Sequence, residues 1–464
     1  MNYKSQQTLL CNLAVGLTVA QPLYAAAPAK KATAPEKPNI VLIMADDLGY
    51  RDISCFGSTK IKTPNLDKLA ERGVKFTDFH SNGAVSSPTR AGLMTGKYQQ
   101  RVDVEGVITA ANDREKGLDL SEVTMAEEMA NLGYTCAMFG KWHLGYDAEF
   151  NPVHQGFHEY RGYVSGNVDY HTHIDQAGYH DWWNNDKLEK VQGYTTDLIT
   201  DYAIEFIERN NPAKTDKPFF LYLPYETPHG PYQRREDAPL REESNVKTIR
   251  PEVKEDYPEI YVGMIECLDE RLGDLFATLE KEGLTENTIV VFCSDNGANH
   301  VGDNGVLRGA KNSVFEGGHR VPGIISYPAK VKAGTVSNET VITMDLLPTF
   351  VDIAGGQTTG DIVDGVSLKN LLFKGKKLQD RDLFWISTGQ CAMRRGDWKF
   401  VWGRQNKQNN LQLYNLKTDI SEKNNVALEN RELTIQMQQA VKDWFYDVRS
   451  GIETKSIFNL PEFE

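Results

Sequence analysis

The sequence predicts an α/β protein: a large, mostly parallel sheet sandwiched by helices, followed by a small C-terminal α+β domain with an antiparallel sheet. Residues 40–45 (IVLIMA) form an uninterrupted apolar run, as strands buried on both faces do. Similar short runs alternate with helical patterns as far as about residue 356. After about residue 378, short strand-like segments with polar turns replace that rhythm.

At 464 residues the chain exceeds what one hydrophobic core usually serves, which favours two unequal domains. Lys4 and the apolar run 9–20 (LLCNLAVGLTVA) read as the charged and hydrophobic parts of an export signal. Ala25, Ala26 and Ala27 offer its small-residue cleavage site, and the run is too short to span a bilayer. Residues 1–27 are therefore assigned to a signal peptide and 28–37 to a linker rich in Ala, Lys and Pro. The main domain is expected over 38–377 and the α+β subdomain over 378–464.

After the first strand, residues 64–73 read as a helix with Thr63 as N-cap, Pro64 at its start and Gly73 as its stop. A helix over 124–132 leads to a strand over 134–139, and one over 196–209 leads to a strand over 219–223. A long helix over 258–282 places Ile260, Met264, Leu268, Leu272, Leu275 and Leu279 on one face, ahead of a strand over 288–293. In the C-terminal part, residues 383–387, 392–401 and 412–416 read as antiparallel strands and 433–448 as a closing amphipathic helix.

A formal net charge of −13 argues against a nucleic-acid surface or a polybasic membrane face. An anionic substrate would have to be drawn by a local cluster of cations. No run after the signal is long enough for a membrane helix, so no stable membrane insertion is expected. Cys55, Cys136, Cys267, Cys293 and Cys391 are odd in number and lack CxxC spacing, so buried free thiols are expected rather than disulfides or a zinc site.

In an open α/β sheet the active site lies just past the carboxyl ends of strands. Asp46 and Asp47 follow the first strand, Lys141 and His143 (GKWHLG) the strand ending at 139, His229 (YETPHGPY) the strand ending at 223, and Asp295 and Asn296 (CSDNG) the strand ending at 293. Three carboxylates gathered with one amide would repel each other unless a cation sat between them. All four donors are hard oxygens, which favours Ca²⁺ or Mg²⁺ over Zn²⁺. Taken singly, Asp-Asp fits a solvated turn or helix cap and Asp-Asn-Gly fits a turn. Together, each ending an apolar strand, they point to a metal site.

The stretch 86–96, SSPTRAGLMTG, resembles the signature of the type I, formylglycine-dependent sulfatases of the alkaline phosphatase superfamily. There, Cys or Ser precedes any residue, Pro, a small residue and Arg, then a Leu-x-Thr-Gly run. The positions here are Ser86, Pro88, Thr89, Arg90, Leu93, Thr95 and Gly96. The likeness extends through Asp46-Asp47, GKWHLG, His229, Asp295-Asn296 and Lys311 in GAKNSVFEGGHR, nearly the whole mature chain, and is closest to bacterial carbohydrate sulfatases. Ser86 stands where many members have Cys, and Thr89 replaces the commoner Ser.

The resemblance implies the alkaline-phosphatase-like fold, Ca²⁺ held by Asp46, Asp47, residue 86, Asp295 and Asn296, and oxidation of Ser86 to formylglycine by a serine-competent bacterial maturation enzyme. The periplasm is then the expected compartment. An unmodified serine is a poor nucleophile without an activating base, whereas hydrated formylglycine offers two geminal hydroxyls. By the same analogy one attacks sulfur with Asp295 assisting, while His229 and Lys311 stabilise or protonate the leaving oxygen. Lys141, Arg90 and the cation neutralise the sulfuryl oxygens, Arg90 more by ordering the loop around residue 86 than by touching substrate. His143 takes a proton from the second hydroxyl to expel sulfate.

The segment 162–175 (GYVSGNVDYHTHID) is long, aromatic and polar, as pocket-shaping insertions are. His171, His173 and Gln233 are candidate substrate contacts, with Trp182 or Trp183 as a sugar platform and Arg234 and Arg235 as further anion contacts. A sulfated glycan with galactose or N-acetylgalactosamine units is the expected substrate. The alternatives are a phosphatase or phosphonate-ester hydrolase of the same superfamily, for which no second metal's ligands stand out, and a glycan-binding protein whose Ser86 is never oxidised.

Overall fold

The computed structural model describes residues 37–242, 256–405 and 408–458. The signal peptide and nearly all of the linker lie outside the described residues.

Eleven strands build the main sheet. In chain order they are β1 (Asn39–Ala45), β2 (Val74–His80), β3 (Thr135–Lys141), β4 (Glu159–Tyr163), β5 (Trp183–Asn184), β6 (Lys187–Leu188), β7 (Phe219–Pro224), β8 (Thr288–Ser294), β9 (Arg320–Ser326), β10 (Thr335–Ser337) and β11 (Val341–Ile342). Their spatial order is β10-β2-β9-β8-β1-β7-β3-β4-β5-β6, with β11 beside β2. β1 is central and parallel to both neighbours, pairing Ile40 with Phe220 and with Ile289. Every residue of β1, β7 and β8 is buried, which is why those stretches read as continuous apolar runs. β9 runs antiparallel to β2 and β8, so the sheet is mixed at that side and parallel at its centre.

The helices are α1 (Pro64–Glu71), α2 (Ser86–Thr95), α3 (Met125–Asn131), α4 (Thr195–Arg209), α5 (Pro212–Thr215), α6 (Tyr257–Lys281), α7 (Glu316–His319), α8 (Leu346–Ile353), α9 (Lys369–Lys374) and α10 (Arg431–Val448). Alternate residues of β1 serve two cores, as the strand period of two requires. Leu42 and Met44 pack with Met94, Met129 and Leu347 on one face. Val41 and Ile43 pack with Leu66, Phe206, Leu268 and Leu272 on the other. Each such side chain contributes roughly 1.5–3 kcal/mol on burial.

Thr124 and Glu127 form a reciprocal capping box that starts α3. The expected cap of α1 works differently. Thr63 occupies the N-cap position, but its hydroxyl accepts from Ser54 N at 2.9 Å. Asp269 of α6 accepts from Asn65 N and Leu66 N instead, at 3.1 and 2.8 Å.

A second, antiparallel sheet comprises β12 (Asp382–Ser387), β13 (Gln390–Arg395), β14 (Trp398–Gln405) and β15 (Gln408–Asn415). The single strand expected over 392–401 is two strands. They are joined at Gly396 and Asp397, where Gly396 takes a φ of 56° that a side chain would resist. α10 covers this sheet through Met437, Val441 and Trp444.

Where the second sheet meets the first, a buried ionic network forms. Lys399 of β14 pairs with Glu316 at 2.8 Å and Glu422 at 3.6 Å, and donates to His319 Nε2 at 2.9 Å. Arg320 and Arg394 pair with both Asp78 and Glu316. Burial lowers the pKa of His80 and of His319, so both are neutral beside these charges. The five described cysteines are free, with Cys136, Cys293 and Cys391 buried.

Candidate active site

The carboxyl ends of β1, β3, β7 and β8 converge on one buried cluster of charge. β1 delivers Asp46 and Asp47, β3 ends in Lys141, β8 leads into Asp295 and Asn296, and β7 leads to His229 four residues beyond Tyr225. Ser86 opens α2, and every residue of that helix is buried.

The Ser86 hydroxyl donates to Asp295 and lies 3.4 Å from Asp46 Oδ1. Lys141 Nζ donates to Asp46 and, at 3.0 Å, to Ser86 Oγ. Arg90, one turn along α2, donates to Asp295 Oδ2 at 3.0 Å and to the Lys141 carbonyl at 3.1 Å. Lys311 Nζ is 2.7 Å from Asp47 Oδ1, and His229 Nε2 is 3.7 Å from Asp47 Oδ2. His143 is buried; its Nε2 lies 3.0 Å from the Ile108 carbonyl and its Nδ1 has no partner among the described residues.

The backbone is bent to bring these groups together. Asp47 and His143 have φ of 63° and 58°, a left-handed conformation costing on the order of 1–3 kcal/mol each. Asp47 is held there by its N–H, which donates to Asp295 Oδ1 at 3.2 Å, and by Asn296 Nδ2, which donates to its carboxylate at 2.7 Å. Gly297 lets the Asn296 loop touch α7: a Cβ at that position would fall 1.9 Å from the Gly317 carbonyl oxygen.

Three buried carboxylates, Asp46, Asp47 and Asp295, face three buried or nearly buried cations, Arg90, Lys141 and Lys311. Burial, reinforced by Asp295, pushes Asp46 up to about 7 in spite of Lys141 and Arg90. Burial raises Asp47 and Asp295 too, but Lys311 and His229 hold the first below the ordinary range, and Arg90, Lys141 and Lys311 hold the second far below it. Burial lowers Lys311, yet Asp47, Asp46 and Asp295 outweigh it and bring the ammonium to about 12. His229 falls to about 3 and His143 well below its usual value, through burial first and the neighbouring cations second.

These residues fit a hard divalent cation. The Asn296 amide oxygen is buried with no partner among the described residues, an arrangement that costs about 1–3 kcal/mol unless something binds it. Ligand atoms of Asp46, Asp47 and His229 lie within 4.8 Å of one another. Asp46, with its raised pKa, stands to gain most from added positive charge. With all three carboxylates ionised the three cations balance them, so a divalent ion would leave the site net positive.

His171, His173 and Gln233 each bond or pack against loop neighbours, in a segment whose Tyr170 hydroxyl donates to the His229 carbonyl at 2.9 Å. Gln233 is fully buried, accepting from Tyr170 N at 3.1 Å and donating to the Ala238 carbonyl at 3.1 Å. His171 bonds the Arg234 carbonyl at 3.1 Å, and His173 is buried against Trp182 with ring centroids 4.2 Å apart. Trp182 is buried and Trp183 partly exposed, while Arg234 pairs with Asp237 and Arg235 with Asp197. Sequence reasoning missed Asn299, whose Nδ2 lies 3.4 Å from Asp47 Oδ2 and 2.9 Å from the Tyr232 hydroxyl. Its place three residues after Asn296 was the available signal. Glu226, buried with one carboxylate oxygen on Val168 N and the other without a partner among the described residues, was also missed.

A family model described as Sulfatase matches residues 38–356, and one described as N-sulphoglucosamine sulphohydrolase, C-terminal, matches 309–449. Arylsulfatase J of Mus musculus is 32% identical over 79% of this chain, which spans 61% of that protein's length. The N-acetylgalactosamine-6-sulfatase of Mus musculus is 30% identical, over 86% of this chain and 77% of that protein. The solved structure of Ps i-CgsB in complex with k-i-k-neocarrahexaose is 31% identical with a TM-score of 0.79, covering 89% of this chain and 94% of that one. With its strand-end charge cluster and its mixed sheet, the chain belongs to the sulfatase family and has the alkaline-phosphatase-like fold.

Proposed function

We propose that this sulfatase removes an O-sulfate from galactose or N-acetylgalactosamine units of a sulfated glycan after export, with Ser86 oxidised to formylglycine by a maturation enzyme and Ca²⁺ beside it. The carrying observation is the Ser86 hydroxyl, set within hydrogen-bond reach of Asp295 and Lys141 and beside Asp46. The relative named for N-acetylgalactosamine-6-sulfate and the neighbour solved with a neocarrahexaose support the sugar class.

Asp46, Asp47, Asp295 and the Asn296 amide oxygen are the residues that would hold the ion, with residue 86 completing the set. Ca²⁺ would supply a Lewis acid that polarises sulfate oxygens and acidifies a coordinated hydroxyl. Hydrated formylglycine would supply two hydroxyls on one carbon, one to attack sulfur and one whose deprotonation restores the aldehyde.

Asp295 accepts the hydrogen of the residue 86 hydroxyl and so sits where a proton must leave for attack. Lys141 and Arg90 bring fixed positive charge to the same oxygen, the place where sulfuryl charge would gather. Lys311 keeps its proton and serves as donor to the leaving alcohol oxygen, beside a neutral His229. His143 offers its hydrogen to the Ile108 carbonyl through Nε2, which leaves Nδ1 as an unspent acceptor for the second hydroxyl's proton.

The test couples chemistry to specificity. After production with a serine-type maturation enzyme, the Ser86 peptide should be lighter by two hydrogens, and the enzyme should release sulfate from monosulfated galactose or N-acetylgalactosamine. Equal activity with unmodified Ser86, release of phosphate in preference to sulfate, or a preference for N-acetylglucosamine would each overturn the corresponding part.

A further inference from the structure

Past the end of β4 lies a cleft of about 380 Å³, lined by Arg114, Tyr146, Tyr179, Trp183 and Lys190 among others. The volume falls in the range of roughly 300–1,000 Å³ that holds small ligands. Because β4 pairs in parallel with β3, the cleft stands at the same carboxyl edge of the sheet as Lys141 and His143. Two direct links tie it to the catalytic cluster. Tyr146 of its wall has its hydroxyl 3.4 Å from the Ile108 carbonyl, the group that also binds His143 Nε2 at 3.0 Å. Val164, another wall residue, accepts the His143 backbone N–H at 3.2 Å.

We propose that this cleft binds the sugar unit adjoining the one whose sulfate is cleaved, taking a sulfate or carboxylate of that unit on Arg114 with the sugar ring against Tyr179. This rests on the reading of the site as a carbohydrate sulfatase. The Arg114 guanidinium lies 5.3 Å from the ring centroid of Tyr146 and 5.3 Å from that of Tyr179, so two aromatic faces hold the cation in place. It donates no hydrogen bond among the described residues, and its side chain is 46% exposed. Its ion-pair partner is Asp175 Oδ2, at a loose 3.9 Å, while Asp175 Oδ1 accepts from Ala177 N and Tyr179 N at 2.8 and 2.9 Å.

The other acid of the lining has both oxygens engaged. Asp181 accepts from Val164 N, Ser165 N and Trp183 Nε1 at 3.2, 2.8 and 2.7 Å. Arg114 therefore presents a fork of donors suited to a planar carboxylate or to two sulfate oxygens, positioned but not consumed. Tyr179 is 58% exposed, which leaves aromatic surface beyond the Arg114 contact for the C–H face of a sugar. On a chain of net charge −13, a local cation of this kind is how an anionic polymer is drawn to one place.

Arg114→Ala and Tyr179→Ala in the full-length, matured enzyme test this. A small aryl sulfate engages the sulfate site alone. Disaccharides with one scissile sulfate and a neighbouring unit bearing sulfate, carboxylate or neither engage the cleft. Arg114→Ala should lower kcat/KM for the anionic disaccharides about 10- to 100-fold, through KM, and leave the aryl sulfate and the neutral disaccharide nearly unchanged. Whichever anionic arm suffers more identifies the anion. Tyr179→Ala should cost all three disaccharides about 3- to 10-fold and spare the aryl sulfate. Equal losses of Arg114→Ala on the aryl sulfate, or no loss on any disaccharide, would overturn the assignment. Calorimetric binding of the disulfated disaccharide to unmatured protein, with and without Arg114, reads the cleft even where no sulfate ester is turned over. Failure of catalysis and failure of the subsite are thereby told apart.

Discussion

Replacing Lys399 by methionine should destabilise the protein severely. Lys399 is fully buried and neutralises Glu316 at 2.8 Å and Glu422 at 3.6 Å, so its loss leaves two buried carboxylates short of a cation. Breaking one partner out of a buried pair costs about 3–5 kcal/mol. Glu316 keeps Arg320 at 3.2 Å and Arg394 at 3.6 Å, which places its share at the low end. Glu422 carries the pH dependence. Burial, with Glu316 adding to it, raises its carboxyl to about 7 from an ordinary 4.5 in spite of Lys399. The folded state thus binds an extra proton between those values, and the stability this group contributes falls as pH rises through that window. At pH 6 Glu422 is protonated with or without Lys399, whereas at pH 8 the lysine is the chief group compensating its charge, with Arg308 and the Glu316 N–H behind it. The penalty should therefore be larger at pH 8, near 6–10 °C in Tm at roughly 2 °C per kcal/mol, and clearly smaller at pH 6. Adding Glu422→Gln should restore part of the loss at pH 8. Scanning calorimetry at fixed calcium decides it: a Tm within about 2 °C of the parent at pH 8, or an equal penalty at both pH values, refutes the reasoning.

Chelation should lower Tm and added Ca²⁺ restore it, by about 2.7 kcal/mol when the ion is a hundredfold above its Kd; Asn296→Ala, which deletes the unpartnered amide oxygen, should shift that titration to higher calcium. A Tm insensitive to chelator would contradict the metal reading. Lys141→Ala should reduce kcat about 10²–10³-fold in the matured enzyme, because it removes the ammonium 3.0 Å from the residue 86 oxygen. Steady-state sulfate release measures this, and a loss confined to KM would reassign the lysine to ground-state binding. Gly297→Ala should cost at least about 1–3 kcal/mol and weaken calcium binding, since its Cβ would overlap the Gly317 carbonyl oxygen at 1.9 Å. Thermal melts with and without calcium report both effects, and an undisturbed calcium response would show that the loop relaxes.

The parallel centre of the sheet was legible because burial on both faces writes an unbroken apolar run. β1, β7 and β8 were found to within a residue or so at each end. β2 and β9 were not. VKFTDFH alternates only as far as Thr77 before Asp78 and His80 turn to the ionic network, and RVPGIIS contains Pro and Gly, so neither is an unbroken apolar run. The break inside 392–401 hides for a related reason: a two-residue turn at Gly396 and Asp397 sits between strands whose residues look alike. At the site, the groups at strand ends were readable because topology fixes where strand ends go. His171, His173 and Gln233 come from loops, where partners are set by folding back and not by periodicity; each binds or packs against loop neighbours. Arg114 has no local signature at all; only the two tyrosines that flank it in space mark it.

Ser86 is 2% exposed, at the start of a helix whose every residue is interior. A catalyst that must bind the peptide around it would have to draw an interior helix out of the fold. If Ser86 is oxidised as proposed, the change would have to be made on a nascent or extended chain, before the domain closes. Protein that folded with plain serine would then be locked out of repair, and a race between collapse and chemistry would set the competent fraction.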